Sequence, residues 1–119
     1  GISEEEAIEI GRKNLRTSLK PLSDYAPPTA DQSLRYLGDS PYESSRMILH
    51  SDWAPVAKAL GGSLIVGVPS PSLLVYGRGD SELAVGAMRA FVRDALRKAD
   101  RPLTASVFRW TEAGWEELR

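Results

Sequence analysis

The chain holds no cysteine and a single histidine among its 119 residues. The first absence excludes a disulfide framework, a thiolate zinc site and a cysteine nucleophile, and is compatible with a reducing compartment. The second excludes any metal centre or proton relay that needs two imidazoles. Neither sign of charge is in excess: 15 Lys and Arg stand against 16 Asp and Glu, a formal net charge of −1. That balance offers no field to gather nucleic acid or an anionic membrane. No apolar run approaches the length of a membrane span, and no stretch reads as a signal peptide. The Gly-x-Ser-x-Gly elbow and the glycine spacing of a phosphate cradle are missing as well.

What is present is organised around Gly61–Gly79. Two short apolar runs, Leu64–Val68 and Leu73–Tyr76, flank Pro69-Ser70-Pro71-Ser72 and are closed by glycines. Their length and β-branched content predict two buried strands, joined as an antiparallel hairpin by a four-residue loop at the centre of a sheet. Leu64, Val66 and Val68 fall on one face, with Ile65 and Gly67 on the other. Both faces are apolar, so each needs a cover.

Around that hairpin the signals run in order. Ser3-Glu4-Glu5-Glu6 has the form of a capping box, followed by Ala7, Ile8, Gly11, Leu15 and Leu19 at helical spacing up to Pro21. Leu22–Gln32, with Pro27-Pro28, reads as a surface connection, and Ser33–Leu37 as a short strand at the sheet edge. Tyr42–Leu49 is expected to make two helical turns. A second helical piece is expected from an N-cap at Ser51 or Asp52, with Pro55 in its first turn, to Gly61-Gly62. Asp80 or Ser81 caps a long helix over Glu82–Ala99, whose stripe is Ala84, Ala87, Met88, Phe91, Val92, Ala95 and Leu96. Leu103–Trp110 and Trp115–Leu118 read as strands about a turn at Thr111–Gly114.

The expected fold is therefore α+β, in one domain over residues 1–119. It has an antiparallel sheet of about five strands, a long helix on one face, and the order α-β-α-β-β-α-β-β. The second face is left for the opening helix or a second copy of the chain. The first residue is Gly1 rather than methionine, as in a trimmed chain, which leaves room for a leader or domain upstream.

Several segments in register resemble the C-terminal half of the YtpQ-like bacterial family, a domain of unknown function. They are Asn14-Leu15 with Leu19 and Leu22; Asp39 followed by Tyr42-Glu43-Ser44-Ser45-Arg46; Val68-Pro69; and Pro102-Leu103-Thr104 leading to a turn at Gly114. Together they cover residues from about Ile8 to Trp115. Members of that family carry a long N-terminal portion without a counterpart here, so the resemblance implies a fragment or a short relative. It also implies a bacterial, cytoplasmic protein with no catalytic residues to carry over. By strand order the expected fold is similar to the small α+β domains of type III secretion chaperones, a likeness of topology alone.

Few residues offer chemistry. His50 with Ser44, Ser45, Ser51 and Asp52 spells a Ser-His-Asp set, but adjacency in sequence is not triad geometry, and His50 reads as a surface or capping residue. Tyr42, Ser45 and Arg46 form the one polar cluster that could present donors to an anion; the plainer reading pairs Arg46 with Asp39 or Glu43. Arg89, Arg93 and Arg97, extended by Lys98 and Arg101, make a basic row without interleaved aromatics, as on a solvated helix face. Arg78-Gly79-Asp80 reads as a turn leading into a cap. Trp110 and Trp115 flank the last turn, as core packing or as anchors for a partner.

Two functional expectations follow. The first is a non-enzymatic interaction or regulatory domain that pairs with itself or a protein partner through the hairpin face or the last hairpin. The second is a small-molecule or anion-binding domain, with weak hydrolase activity as its extreme form, centred on Tyr42, Ser45 and Arg46 beside His50. No catalytic residue, metal site, cofactor, nucleic acid or membrane is implied by either.

Overall fold

In a computed structural model of the chain, the described residues are 3–8, 10, 12, 34–38 and 43–118. Asp39 and Tyr42, the connection over 22–32 and the later part of the opening helix lie outside them. A five-stranded antiparallel sheet carries the fold, in the order β1-β3-β2-β4-β5. Its strands are β1 (Leu34–Leu37), β2 (Leu64–Ser70), β3 (Leu73–Arg78), β4 (Val107–Thr111) and β5 (Gly114–Leu118). The architecture is α+β, and β1 lies at an edge as its weak alternation implied.

The β2–β3 hairpin is central, but its connection is shorter than the prolines suggest. β2 continues through Pro69 to Ser70, and only Pro71-Ser72 forms the turn. Gly67 pairs with Val75 and Ser70 with Leu73, so one extra residue of β2 sits between them as a bulge. A bulge tolerates proline because no ladder donor is required of it. The carbonyls there are used: Pro69 O accepts from the Leu103 amide at 2.8 Å, and Pro71 O from the Ser44 amide at 2.9 Å.

On one face lies α3 (Glu82–Lys98), begun by Ser81, whose side chain accepts the Ala84 amide at 3.1 Å. Met88 and Val92 are buried against Ile65, Val75 and Val107, with Val85 and Phe91 packed around them. Ala87, expected in the stripe, is exposed, and Val85 takes the inner position. Gly67 lets the helix approach: a Cβ there would fall 2.5 Å from Val92 Cγ2.

The other face is where sequence and structure part. None of the described residues of the opening helix joins the core on it. Residues 4–8, 10 and 12 are helical (α1), with the Ser3 hydroxyl accepting the Glu6 amide at 3.1 Å, yet Ile8 and Ile10 are about half exposed. The cover is instead a compact run of two 3₁₀ helices, η1 (Glu43–Ile48) and η2 (His50–Trp53), followed by α2 (Ala54–Ala59). From it Trp53, Ala57 and Leu60 join Leu37, Leu64, Val66, Val68, Leu74 and Tyr76 in the second core. Ser51 and Asp52 are not N-caps, because η2 runs directly into α2 and the Asp52 and Ala54 amides donate to the carbonyls of Leu49 and Ser51. α2 ends as its glycines demand. The Gly62 amide reaches back to Ala57 O at 2.7 Å and the Gly61 amide to Lys58 O, with both glycines at positive φ, the Schellman arrangement.

β4 begins at Val107 rather than Leu103. Residues 102–106 stay irregular, tied by the Leu103 bond and by the Ser106 amide to Thr104 Oγ1. With α3 on one side and the η1–η2–α2 run on the other, both faces of the hairpin are covered within one chain.

Candidate functional site

Every tryptophan of the chain donates to a main-chain carbonyl of the η1–η2 run. Trp53 Nε1 bonds Arg46 O, Trp115 Nε1 bonds Met47 O and Trp110 Nε1 bonds His50 O, each at 2.9 Å. Short 3₁₀ helices leave terminal carbonyls without intrahelical donors, and an indole supplies one donor together with a large apolar body. Trp110 and Trp115, expected as possible partner anchors, are half-buried and spent on this internal clasp.

His50 belongs to the same arrangement. Its ring stacks on Trp110 at 5.0 Å and meets Trp115 edge-on at 5.7 Å. Nε2 lies 2.6 Å from Thr111 O. A carbonyl only accepts, so Nε2 carries the hydrogen. Among the described residues no serine or aspartate is bonded to the ring in a relay, and the histidine fastens η2 to the β4–β5 turn instead of sitting on the surface. Among the described residues there is also no group of three His, Asp or Glu side chains able to hold a metal ion.

Of the expected anion-binding cluster, Tyr42 lies outside the described residues and Ser45 is half-buried on η1. Arg46 is 3% exposed, and its Nε donates to Oε1 of Glu43 (0% exposed) at 2.8 Å. A buried arginine engaged by a buried carboxylate is a structural pair, and Glu43 is one partner of Arg46; Asp39 lies outside the described residues. Tyr76 lies nearby; burial pushes its phenol above the ordinary tyrosine value, against smaller downward pulls from the Arg35 and Arg46 charges.

The basic row is divided. Arg97 and Lys98 both bond Asp94, at 2.8 and 2.9 Å, and these bonds hold that carboxyl below the usual aspartate value. Arg89 turns toward a shallow cleft of about 530 Å³ between the first turns of α3 and the end of the sheet. Arg109 lines the cleft too, and its Nη2 donates to Gly79 O at 3.0 Å. Asp80 and Glu82 lie in the same lining, so the two arginines face an equal number of acids. The cleft is on the α3 face, across the sheet from Arg46.

Among the described residues, Leu83 and Tyr36 are the most exposed large apolar side chains. Leu83, Ala87 and Phe91 stand four apart on α3 and so form one row along it. Phe91 stacks on Tyr36 of β1 at 6.1 Å, which places that row on the flank of α3 beside the sheet edge. Tyr36 pairs with Val75, so it points to the α3 face, yet it is 68% exposed, and Leu83 is 86% exposed. Neither was singled out by the sequence, since a lone Leu and a lone Tyr carry no periodic signal. The opposite edge differs: β5 presents exposed Glu116 and Glu117, charges that discourage pairing.

No helix among the described residues is long and apolar enough to cross a membrane. No family model matches the chain. No curated protein and no solved structure matches it either.

Proposed function

We propose that the domain is a non-enzymatic interaction module that receives an amphipathic helix of a protein partner along the flank of α3, above β1. The observation that carries this reading is the exposure of Leu83 and Tyr36 around Phe91, in a domain whose other large apolar side chains mostly fill two covered cores. A row of residues at i, i+4 and i+8 beside an edge strand suits the helix-in-groove mode of recognition. The polar groups support the same conclusion from the other side. Arg46, His50, Trp110 and Trp115, the residues best able to carry a site, each have an internal partner. This moves the interaction surface away from the hairpin face and the last hairpin, where the sequence placed it.

The test is affinity capture with the full chain, wild type against Leu83→Asp and Tyr36→Ser, together with solution mass by light scattering. Proteins retained by the wild type and lost about tenfold in both variants, at unchanged unfolding midpoint, support the reading. A wild-type dimer that the variants dissociate makes the partner a second copy. Equal retention by all three, or a monomer that retains nothing, overturns it.

A further inference from the structure

We infer that the cleft beside the first turns of α3 binds a small dipolar ligand, with an ammonium group at one end, a carboxylate at the other and an apolar body between, the chemistry of a dipeptide. The site is independent of the partner surface, because it lies on the flank of α3 away from the Leu83 row. Glu82, Val85, Gly86 and Arg89 recur there at three- and four-residue spacing and so share one face of the helix. Arg109 of β4 and Leu118 of β5 complete the lining, with the turn from Gly79 to Ser81 at one end. The enclosed space of about 530 Å³ falls within the range of ligand clefts, roughly 300 to 1,000 Å³.

Gly86 is the observation that carries the inference. Glycine is among the poorest helix formers, yet it stands in the second turn of a 17-residue helix. Its φ is not positive, so the backbone does not require it. A Cβ there would meet nothing within 4 Å, so packing does not require it either, in contrast to Gly67, where a methyl collides with Val92. What the missing side chain does provide is bare helix backbone against which a ligand can lie closely. The charges then fit a dipolar occupant better than an ion of one sign, since two arginines are balanced by two acids in the lining. Along α3 these charges are sorted: Glu82 opens the helix, and Arg89 stands seven residues on, about 10 Å along the axis. An ammonium toward Glu82 and a carboxylate toward Arg89 would each meet opposite charge, with Val85 and Leu118 against the body between them. Asp80 already has Arg78 at 3.9 Å, which leaves Glu82 as the acid for the ligand. Arg109 is steadied by its bond to Gly79 O at 3.0 Å, and its guanidinium has further donors to offer.

The test is calorimetric titration of the full chain with alanylleucine, its N-acetyl form and its C-terminal amide. The free dipeptide should bind saturably and each blocked form at least about tenfold more weakly, the worth of one charge-assisted contact. Free leucine is a further arm: binding as tight as the dipeptide's would make an amino acid the source of the same dipolar chemistry. Glu82→Gln should weaken the free dipeptide about tenfold and leave the N-acetyl form unchanged. Gly86→Leu fills the cleft and should abolish binding while raising the unfolding midpoint, so lost binding is not lost folding. Gly86→Ala, whose methyl meets no neighbour, should also raise the midpoint and weaken binding. The inference is overturned if neither dipeptide nor leucine binds, if the blocked forms bind as well as the free one, or if both Gly86 variants bind as the wild type does.

Discussion

Replacing Arg46 with methionine keeps most of the side chain's volume and removes its charge. The Glu43 carboxylate, fully enclosed and 2.8 Å from Arg46 Nε, then loses its bonded cation. Removing one member of a buried ion pair costs about 3–5 kcal/mol. Against a total stability of roughly 5–15 kcal/mol that is a large fraction. At about 4 °C per kcal/mol for a domain of this size, Tm should fall by roughly 12–20 °C. Glu43→Leu combined with Arg46→Met removes both charges and should recover to within about 2 kcal/mol of the wild type, since apolar replacement of a buried pair is often neutral. Urea unfolding followed by circular dichroism on the two single variants and the double variant gives the coupling energy directly. Arg46→Met costing under about 1 kcal/mol, with additive single effects, would refute the burial argument. It would return Arg46 to the role of an accessible donor for an anion.

Gly67→Ala should destabilise by about 1–3 kcal/mol, because the new methyl meets the stiff, buried Val92 side chain and α3 must lift; thermal unfolding measures it. Trp115→Phe leaves Met47 O without its indole donor and should cost about 1–3 kcal/mol, read in the same way. For Tyr76 the folded pKa is raised above the unfolded value, so its contribution is complete below 10.0 and is lost as pH rises past it. The urea midpoint should therefore decline above about pH 10, and Tyr76→Phe should flatten that decline; an equal decline in both proteins would exclude Tyr76 as the cause.

Much of the sheet was legible because its signals are local. The β2 and β3 runs, the α3 stripe and the Gly61-Gly62 cap each declare themselves within a dozen residues. The cover of the second face was not legible, and the reason is geometric. Trp53, Ala57 and Leu60 keep helical spacing, but no local signal says which face of the sheet residues 43–60 pack on; only the fold brings them, with Met47, onto the second core. With that cover hidden, the hairpin's second apolar face seemed to need the opening helix or another molecule. The surroundings of the candidate site were hidden for a related reason. Residue type showed that Trp110, Trp115 and His50 could bind something, whereas only the fold shows that main-chain carbonyls and neighbouring rings 60 or more residues away already do so. Pro69 misled in the opposite sense, because a bulge removes the very donor requirement that makes proline a strand breaker.

The groove beside α3 carries the functional account, and one binding measurement addresses it directly. A fluorescent amphipathic peptide of about 18 residues, with leucines at i, i+4 and i+8 along one helical face, is titrated with the protein, and anisotropy is followed. The account predicts saturable binding that falls at least about tenfold when Leu83→Asp is added. Absence of binding, or binding indifferent to Leu83, would contradict it.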